Sequence, residues 1–211
     1  MAGGCAWSET ERGSSTPPRN HNTDVTFFPQ TITVIRHGEK PTGAKDSASG
    51  VNERGEARPD SLTPRGWQRA GALAALLGAE QVRAPFTRPT VLYACGYHGD
   101  PGGQHHRTRE TITPLSGRLG LGIHTPLPKE DGAALATEHV LKDAGQDVLV
   151  CWEHHHIPPM VAALAKALGV SEIPVAGRQW PDGDYSSALI FSRAGDGFEL
   201  QQVSQGVLDG D

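Results

Sequence analysis

Apolar residues fall into short β-branched runs separated by stretches of helical period. Thr31-Ile32-Thr33-Val34-Ile35, Thr90-Val91-Leu92-Tyr93-Ala94-Cys95 and Asp147-Val148-Leu149-Val150-Cys151-Trp152 each read as a buried strand. Leu62-Thr63-Pro64-Arg65-Gly66 opens a helix, with Thr63 as N-cap and Pro64 at the first helical position, where a missing N–H costs nothing. Trp67, Ala70, Ala74 and Leu77 share a face of it, and Gly78 is the stop. A second helix starts at Arg107 with Ile112, Leu115 and Leu119 in phase, and Pro114 marks either an early turn or a kink. A short strand over 122–125 leads to a helix with Ala133, Ala136, Val140 and Ala144 on one face, ending at Gly145. Ile157, Val161, Leu164 and Leu168 define another helix that stops at Gly169. Two apolar runs, 187–191 and 198–200, flank Arg193-Ala194-Gly195-Asp196-Gly197, which predicts a hairpin.

Strand–helix alternation closed by a hairpin predicts an α/β fold: a three-layer α/β/α sandwich on a mostly parallel central sheet. Residues 1–30, polar and rich in Gly, Ser, Thr and Pro, read as a flexible N-terminal tail, and 31–211 as a single domain. The tail has no apolar centre and so does not read as a secretory signal.

Composition narrows the class. The chain has 211 residues, 36% hydrophobic, enough for one core. A net charge of −5 argues against a nucleic-acid surface, and no apolar run is long enough to span a bilayer. Three cysteines, Cys5, Cys95 and Cys151, are too sparse for a disulfide framework, so a reducing cytoplasm is expected, with Cys95 and Cys151 as small buried hydrophobes. The 10 histidines cluster as His105-His106 and His154-His155-His156.

In sheets of this kind sites lie beyond the carboxyl ends of the strands. Arg36-His37 follows the first strand, Arg107 the second and its Gly-rich loop, and His154 the third. Two arginines and two histidines at one mouth suit a dianion, because arginine forks match phosphate oxygens. A neutral imidazole among them is a competent nucleophile toward phosphorus. Taken singly, each of these residues would pass for surface decoration; it is their order along the chain that argues for a site. Arg65 and Arg109 read as solvated helix charges and Glu39 as a strand-end hydrogen-bond partner.

Arg36-His37-Gly38-Glu39 after a strand resembles the opening motif of the histidine phosphatase superfamily, which includes the phosphoglycerate mutases. Leu62-Thr63-Pro64-Arg65-Gly66 with Gln68 and Ala70 resembles its next segment, with Arg69 interrupting the Gln-Ala pair. Arg107-Thr108-Arg109-Glu110-Thr111 is similar to the second-arginine motif, Cys151-Trp152-Glu153-His154 with Ile157-Pro158 to a second-histidine segment, and 180–191 to the late strand. The resemblance implies a phosphohistidine on His37, with Arg36, Arg107 and His154 holding the phosphoryl oxygens. It implies a carboxylic acid for the leaving group between the second-arginine helix and the second-histidine strand. Glu130 occupies that stretch, with Asp131 as its rival. It implies no metal and no cofactor, and a phosphorylated small molecule or phosphoprotein as substrate. Two departures stand out: His155 follows the second histidine where glycine is usual, and His105-His106 precede Arg107.

The expected function is a phosphomonoester hydrolase of the cytoplasm. A phosphomutase of the same family is the alternative, as is a non-catalytic phosphate-ligand or protein-binding module, which His155 favours. A metallohydrolase would need a spread ligand set such as His98, His105 and His155, since three adjacent histidines leaving a strand point in different directions.

Overall fold

A computed structural model describes residues 1, 3, 27–44, 48–96 and 106–211. Its strands are β1 (Thr31–Arg36), β2 (Val91–Ala94), β3 (Ile123–His124), β4 (Asp147–Trp152), β5 (Ser187–Ala194) and β6 (Gly197–Ser204). They form one six-stranded sheet in the order β3-β2-β4-β1-β5-β6. The sheet is mixed. β3, β2, β4 and β1 run parallel, whereas β5 lies antiparallel to β1 and to β6. The expectation of a mostly parallel sheet therefore holds for one side only. A two-residue loop joins β5 to β6, and so short a connection forces antiparallel pairing. Gly195, at φ 58°, takes the first loop position, where a hairpin of the II′ kind needs positive φ.

Alternate residues of the central strands feed two cores. Ile32, Val34, Val148, Val150 and Trp152 pack on one face against α3 (Gly132–Glu138), α4 (Ile157–Leu168) and α5 (Val175–Arg178). Ile35, Leu149 and Cys151 pack on the other against α1 (Pro64–Leu77) and α2 (His106–Leu119). β1 is buried along its whole length, as a strand covered on both faces must be.

Local chemistry explains the elements. Thr63 caps α1, its hydroxyl accepting from the Gly66 N–H at 3.2 Å, with Pro64 at the first position. α4 ends on Gly169 in the left-handed region, at φ 72°. α2 runs on through Pro114. The helix expected over 133–144 is instead α3 followed by a separate turn of 3₁₀ helix, Val140–Lys142. His139, at φ −125° and ψ −70°, breaks it. Its buried side is Gly132, Leu135, Ala136 and Val140, while Ala133 and Ala144 are exposed. An alanine methyl buries little apolar area, so it fixes the phase of a helix only weakly, and this alanine-rich stretch left the phase ambiguous.

Of the expected tail, 4–26 lies outside the described residues, as do Cys5, His98 and His105. Its end is tied down: Phe28 meets Phe198 edge-on at 6.3 Å, and the Gln30 N–H donates to the Gln146 carbonyl. Among the described residues no helix is long and apolar enough to cross a membrane.

The segment after β1 returns tightly onto α1. A Cβ on Gly66 would lie 2.6 Å from the Glu39 carbonyl oxygen, and one on Gly38 would lie 3.0 Å from the Gly66 carbonyl oxygen. Both contacts are backbone, which cannot swing aside. Gly66→Ala should therefore cost about 1–3 kcal/mol, read as a lower denaturant midpoint. Gly71→Ala, in the same helix with nothing within 4 Å of the new Cβ, should instead gain about 0.5–1 kcal/mol.

Candidate active site

β1 and β4 are parallel neighbours in register, Arg36 opposite Trp152, so both chains leave the sheet at the same edge. The His37 N–H donates to the Trp152 carbonyl at 3.2 Å, which carries the ladder one residue past the strand. His37 and His154 then face each other edge-on with ring centroids 6.2 Å apart, and both are buried. Arg107, at the start of α2, closes the third side: His37, Cys95, Arg107, Thr108 and Glu153 line one small cavity.

Nδ1 of His37 lies 2.7 Å from the Gly38 carbonyl. A carbonyl only accepts, so Nδ1 carries the proton and Nε2 is left with its lone pair. Burial is the main reason that the His37 pKa is pushed down to about 3, and the charges of Arg36 and Arg107 add to it, against the opposing Gly38 bond. Near neutral pH the ring is therefore an uncharged imidazole with a defined free nitrogen, a group chemically able to act as a nucleophile. Behind it, the Gly38 N–H donates to the Thr111 hydroxyl at 2.8 Å, and that hydroxyl donates to the Arg107 carbonyl.

Arg36 is fully buried. Its Nη1 donates to the carbonyls of Pro181 at 3.3 Å, Asp184 at 3.1 Å and Asp182, and its guanidinium lies 4.0 Å from the centre of the Tyr185 ring. Nε and Nη2 find no hydrogen-bond partner among the described residues. A buried cation with two unpaired donors is costly unless something accepts from them, and the Nε/Nη2 fork has the spacing that holds two oxygens of one phosphate. Arg107 is partly engaged, donating from Nη2 to the Pro59 carbonyl at 3.0 Å and from Nε to that of Ser61 at 3.4 Å. Burial lowers the pKa of both arginines, and desolvation strengthens the attraction of each for an anion.

His154 sits between two carboxylates. Nε2 is 3.2 Å from Asp182 Oδ1. Nδ1 is 2.6 Å from Glu153 Oε1, although the angle there does not make a hydrogen bond. Burial and Arg36 lower the His154 pKa, while Glu153 and Asp182 oppose this.

Glu130 and Asp131 are placed differently. They form a 3₁₀ turn whose Lys129 carbonyl accepts from Trp152 Nε1, which puts the turn beside the end of β4. The Glu130 side chain is 58% exposed and lies 3.8 Å from Lys129 Nζ. Glu153 is the carboxylate that lines the cavity with His37, and reading the sequence for an acid in the 129–132 stretch passed it over. Its position directly before His154 was the available signal. Also passed over were Asp182 and Tyr185, whose segment wraps Arg36, and Lys40, which feels the charges of Arg36 and Arg107. Arg65 is less free than a solvated charge: it reaches Glu39 at 3.5 Å and the Asp209 carbonyl at 2.7 Å. Glu39 itself pairs with Arg69 at 2.9 Å.

His155 keeps negative φ, so this position does not demand glycine. Its exposed ring lies over that of His154 with centroids 3.9 Å apart, and it is not among the residues lining the cavity. The three adjacent histidines do not all diverge. His154 and His155, with Asp182, bring ligand-type atoms within 4.8 Å of one another, as do His37, Glu153 and His154. Cys95 and Cys151 are fully buried, and burial pushes the Cys95 thiol up to about 12, far from a reactive thiolate.

No protein-family model matches the chain, and neither does any curated protein. Among solved structures it is similar to SixA from Agrobacterium tumefaciens, described as a phosphohistidine phosphatase, at 16% identity over 84% of this chain and 99% of that one, with a TM-score of 0.46. It is similar to a phosphoserine phosphatase mutant from Entamoeba histolytica in complex with phosphoserine, at 13% identity, covering 84% and 98%, with a TM-score of 0.49. It is also similar to a phosphoglycerate mutase from Bacillus anthracis, at 14% identity, covering 84% and 94%, with a TM-score of 0.45.

Proposed function

We propose that this chain is a histidine phosphatase: a phosphomonoester hydrolase on a three-layer α/β/α frame that acts through a phosphohistidine on His37. The observation that carries the reading is the buried Arg36 with its unpaired Nε and Nη2 donors beside a neutral His37. Nε2 attacks phosphorus in line while the phosphoryl oxygens accept from Arg36, Arg107 and His154. These groups are pre-aimed and stabilise charge as it spreads over the oxygens. The arginines supply the positive charge, so the chemistry calls for no metal. Water then attacks the phosphohistidine, a carboxyl serving first as acid and then as base. The substrate is a phosphorylated small molecule or phosphoprotein. A non-catalytic binding module is the weaker reading, because the His155 side chain is exposed, with its ring over that of His154.

His37→Ala should abolish phosphohistidine trapped by acid-free quenching and nearly all phosphate release, while vanadate still binds. Wild-type turnover in that variant would overturn the mechanism. Arg107→Ala should lower kcat/KM and weaken vanadate binding together, since its charge meets both ground and transition states.

The acid is tested by comparing leaving groups. Glu153→Gln should slow alkyl phosphates about 10²–10⁴-fold and aryl phosphates much less, because aryl oxygens need little protonation. Glu130→Gln should show the same selective loss only if the exposed 129–131 turn folds inward during catalysis; the two variants assayed side by side assign the role.

The His37 pKa also predicts a pH dependence of stability. Its folded value, about 3, lies below the ordinary 6.5, so the unfolded chain takes up the proton first. His37 therefore withdraws stability as pH falls from about 6.5 toward about 3, with a slope of at most about 1.4 kcal/mol per pH unit. His37→Asn should flatten the unfolding free energy across that window, measured by urea titration at each pH.

A further inference from the structure

We propose that His154, His155 and Asp182 form a binding site for a divalent transition cation of the zinc class at the mouth of the cavity. One ligand-type atom from each lies within 4.8 Å of the other two. The pair already closest, His154 Nε2 and Asp182 Oδ1, is 3.2 Å apart. Bonds of about 2.0–2.2 Å in a tetrahedron space their ligands about 3.3–3.6 Å apart, so this pair stands at nearly the right edge length. His155 has its ring over that of His154, and its backbone N–H is held by Glu153 Oε2 at 3.0 Å, so a small turn of an exposed side chain brings in the third ligand. His155 and Asp182 are both exposed, which leaves an open path for the ion and a fourth position for water. Two imidazoles and one carboxylate are a donor set that zinc favours.

The other close set, His37 with Glu153 and His154, is the poorer host. Arg36 acts on His154 in both sets, but at His37 the Arg107 charge adds to it, and His37 is itself buried. At the outer set the Asp182 carboxylate projects into solvent, 85% exposed. The ion would tie the turn after β4 to the segment that carries the carbonyl partners of Arg36, residues 28 positions apart in the chain. The proposal stands on this donor geometry and not on the chemistry assigned to His37.

Co²⁺ and Zn²⁺ added to the metal-free full-length protein test it. One equivalent of Co²⁺ should give the visible absorption of a protein-bound ion, and Zn²⁺ should displace it. At about 100 times its Kd, Zn²⁺ should raise Tm by roughly 5–10 °C. His155→Ala and Asp182→Ala, both at exposed positions, should weaken Co²⁺ at least about 10-fold, the low end of what loss of even an outer-sphere partner costs. Wild-type affinity in His155→Ala would overturn the proposal, as would loss of binding only when His98 and His105 are replaced together. Both readouts are independent of turnover, so an inactive protein that binds Co²⁺ would count against the phosphatase reading alone.

Discussion

A fully buried guanidinium at the end of the central strand organises this end of the molecule. Arg36 gains its burial from β1, which is covered on both faces and flanked by β4 and β5. The segment 181–185 folds over it because three of its carbonyls and the Tyr185 ring are what keep such a charge out of water. Those partners satisfy one side of the fork only. Burial, with the Arg36 charge adding to it, lowers the pKa of both His37 and His154. A single constraint, finding acceptors for one desolvated cation, thus shapes the 181–185 loop and leaves two donors of the guanidinium without an acceptor among the described residues.

The loop that carries His37 is stiffened from behind. Gly38 and Gly66 let two backbones approach more closely than a Cβ would permit. Thr63 accepts from Gly66 to cap α1 and donates to the Glu39 carbonyl. The Glu39 carboxylate meets the buried Arg69, which also holds Asp211 at 2.7 Å. Arg69 breaks the Gln-Ala pair of the motif, yet it links α1, the His37 loop and the last residue of the chain. A ring whose Nδ1 is committed to Gly38 and whose loop is braced in this way has little freedom left to lose, which is what the proposed attack requires.

His154 is held differently, by two carboxylates instead of a carbonyl and a packed loop. Glu153 and Asp182 both stabilise its charged form, while burial and Arg36 oppose it.

The strands, the capped start of α1, the stop of α4, the hairpin and the edge of the sheet where chemistry gathers were all legible in the sequence. Each depends on short-range periodicity, on a capping side chain or on a glycine with positive φ, and such signals need no knowledge of distant neighbours. The order Arg36-His37, Arg107, His154 was legible for the same reason, since each follows a strand or opens a helix. Only the tertiary structure decided the antiparallel pairing of β5 with β1, the break at His139, the reach of Glu153 into the cavity and the wrapping of Arg36 by 181–185. Those outcomes turn on which side of a strand end a carboxylate faces and on where a buried charge finds acceptors 145–148 residues away along the chain. Local pattern carries no information about such long-range pairings, because the desolvation that enforces them exists only once the core has formed.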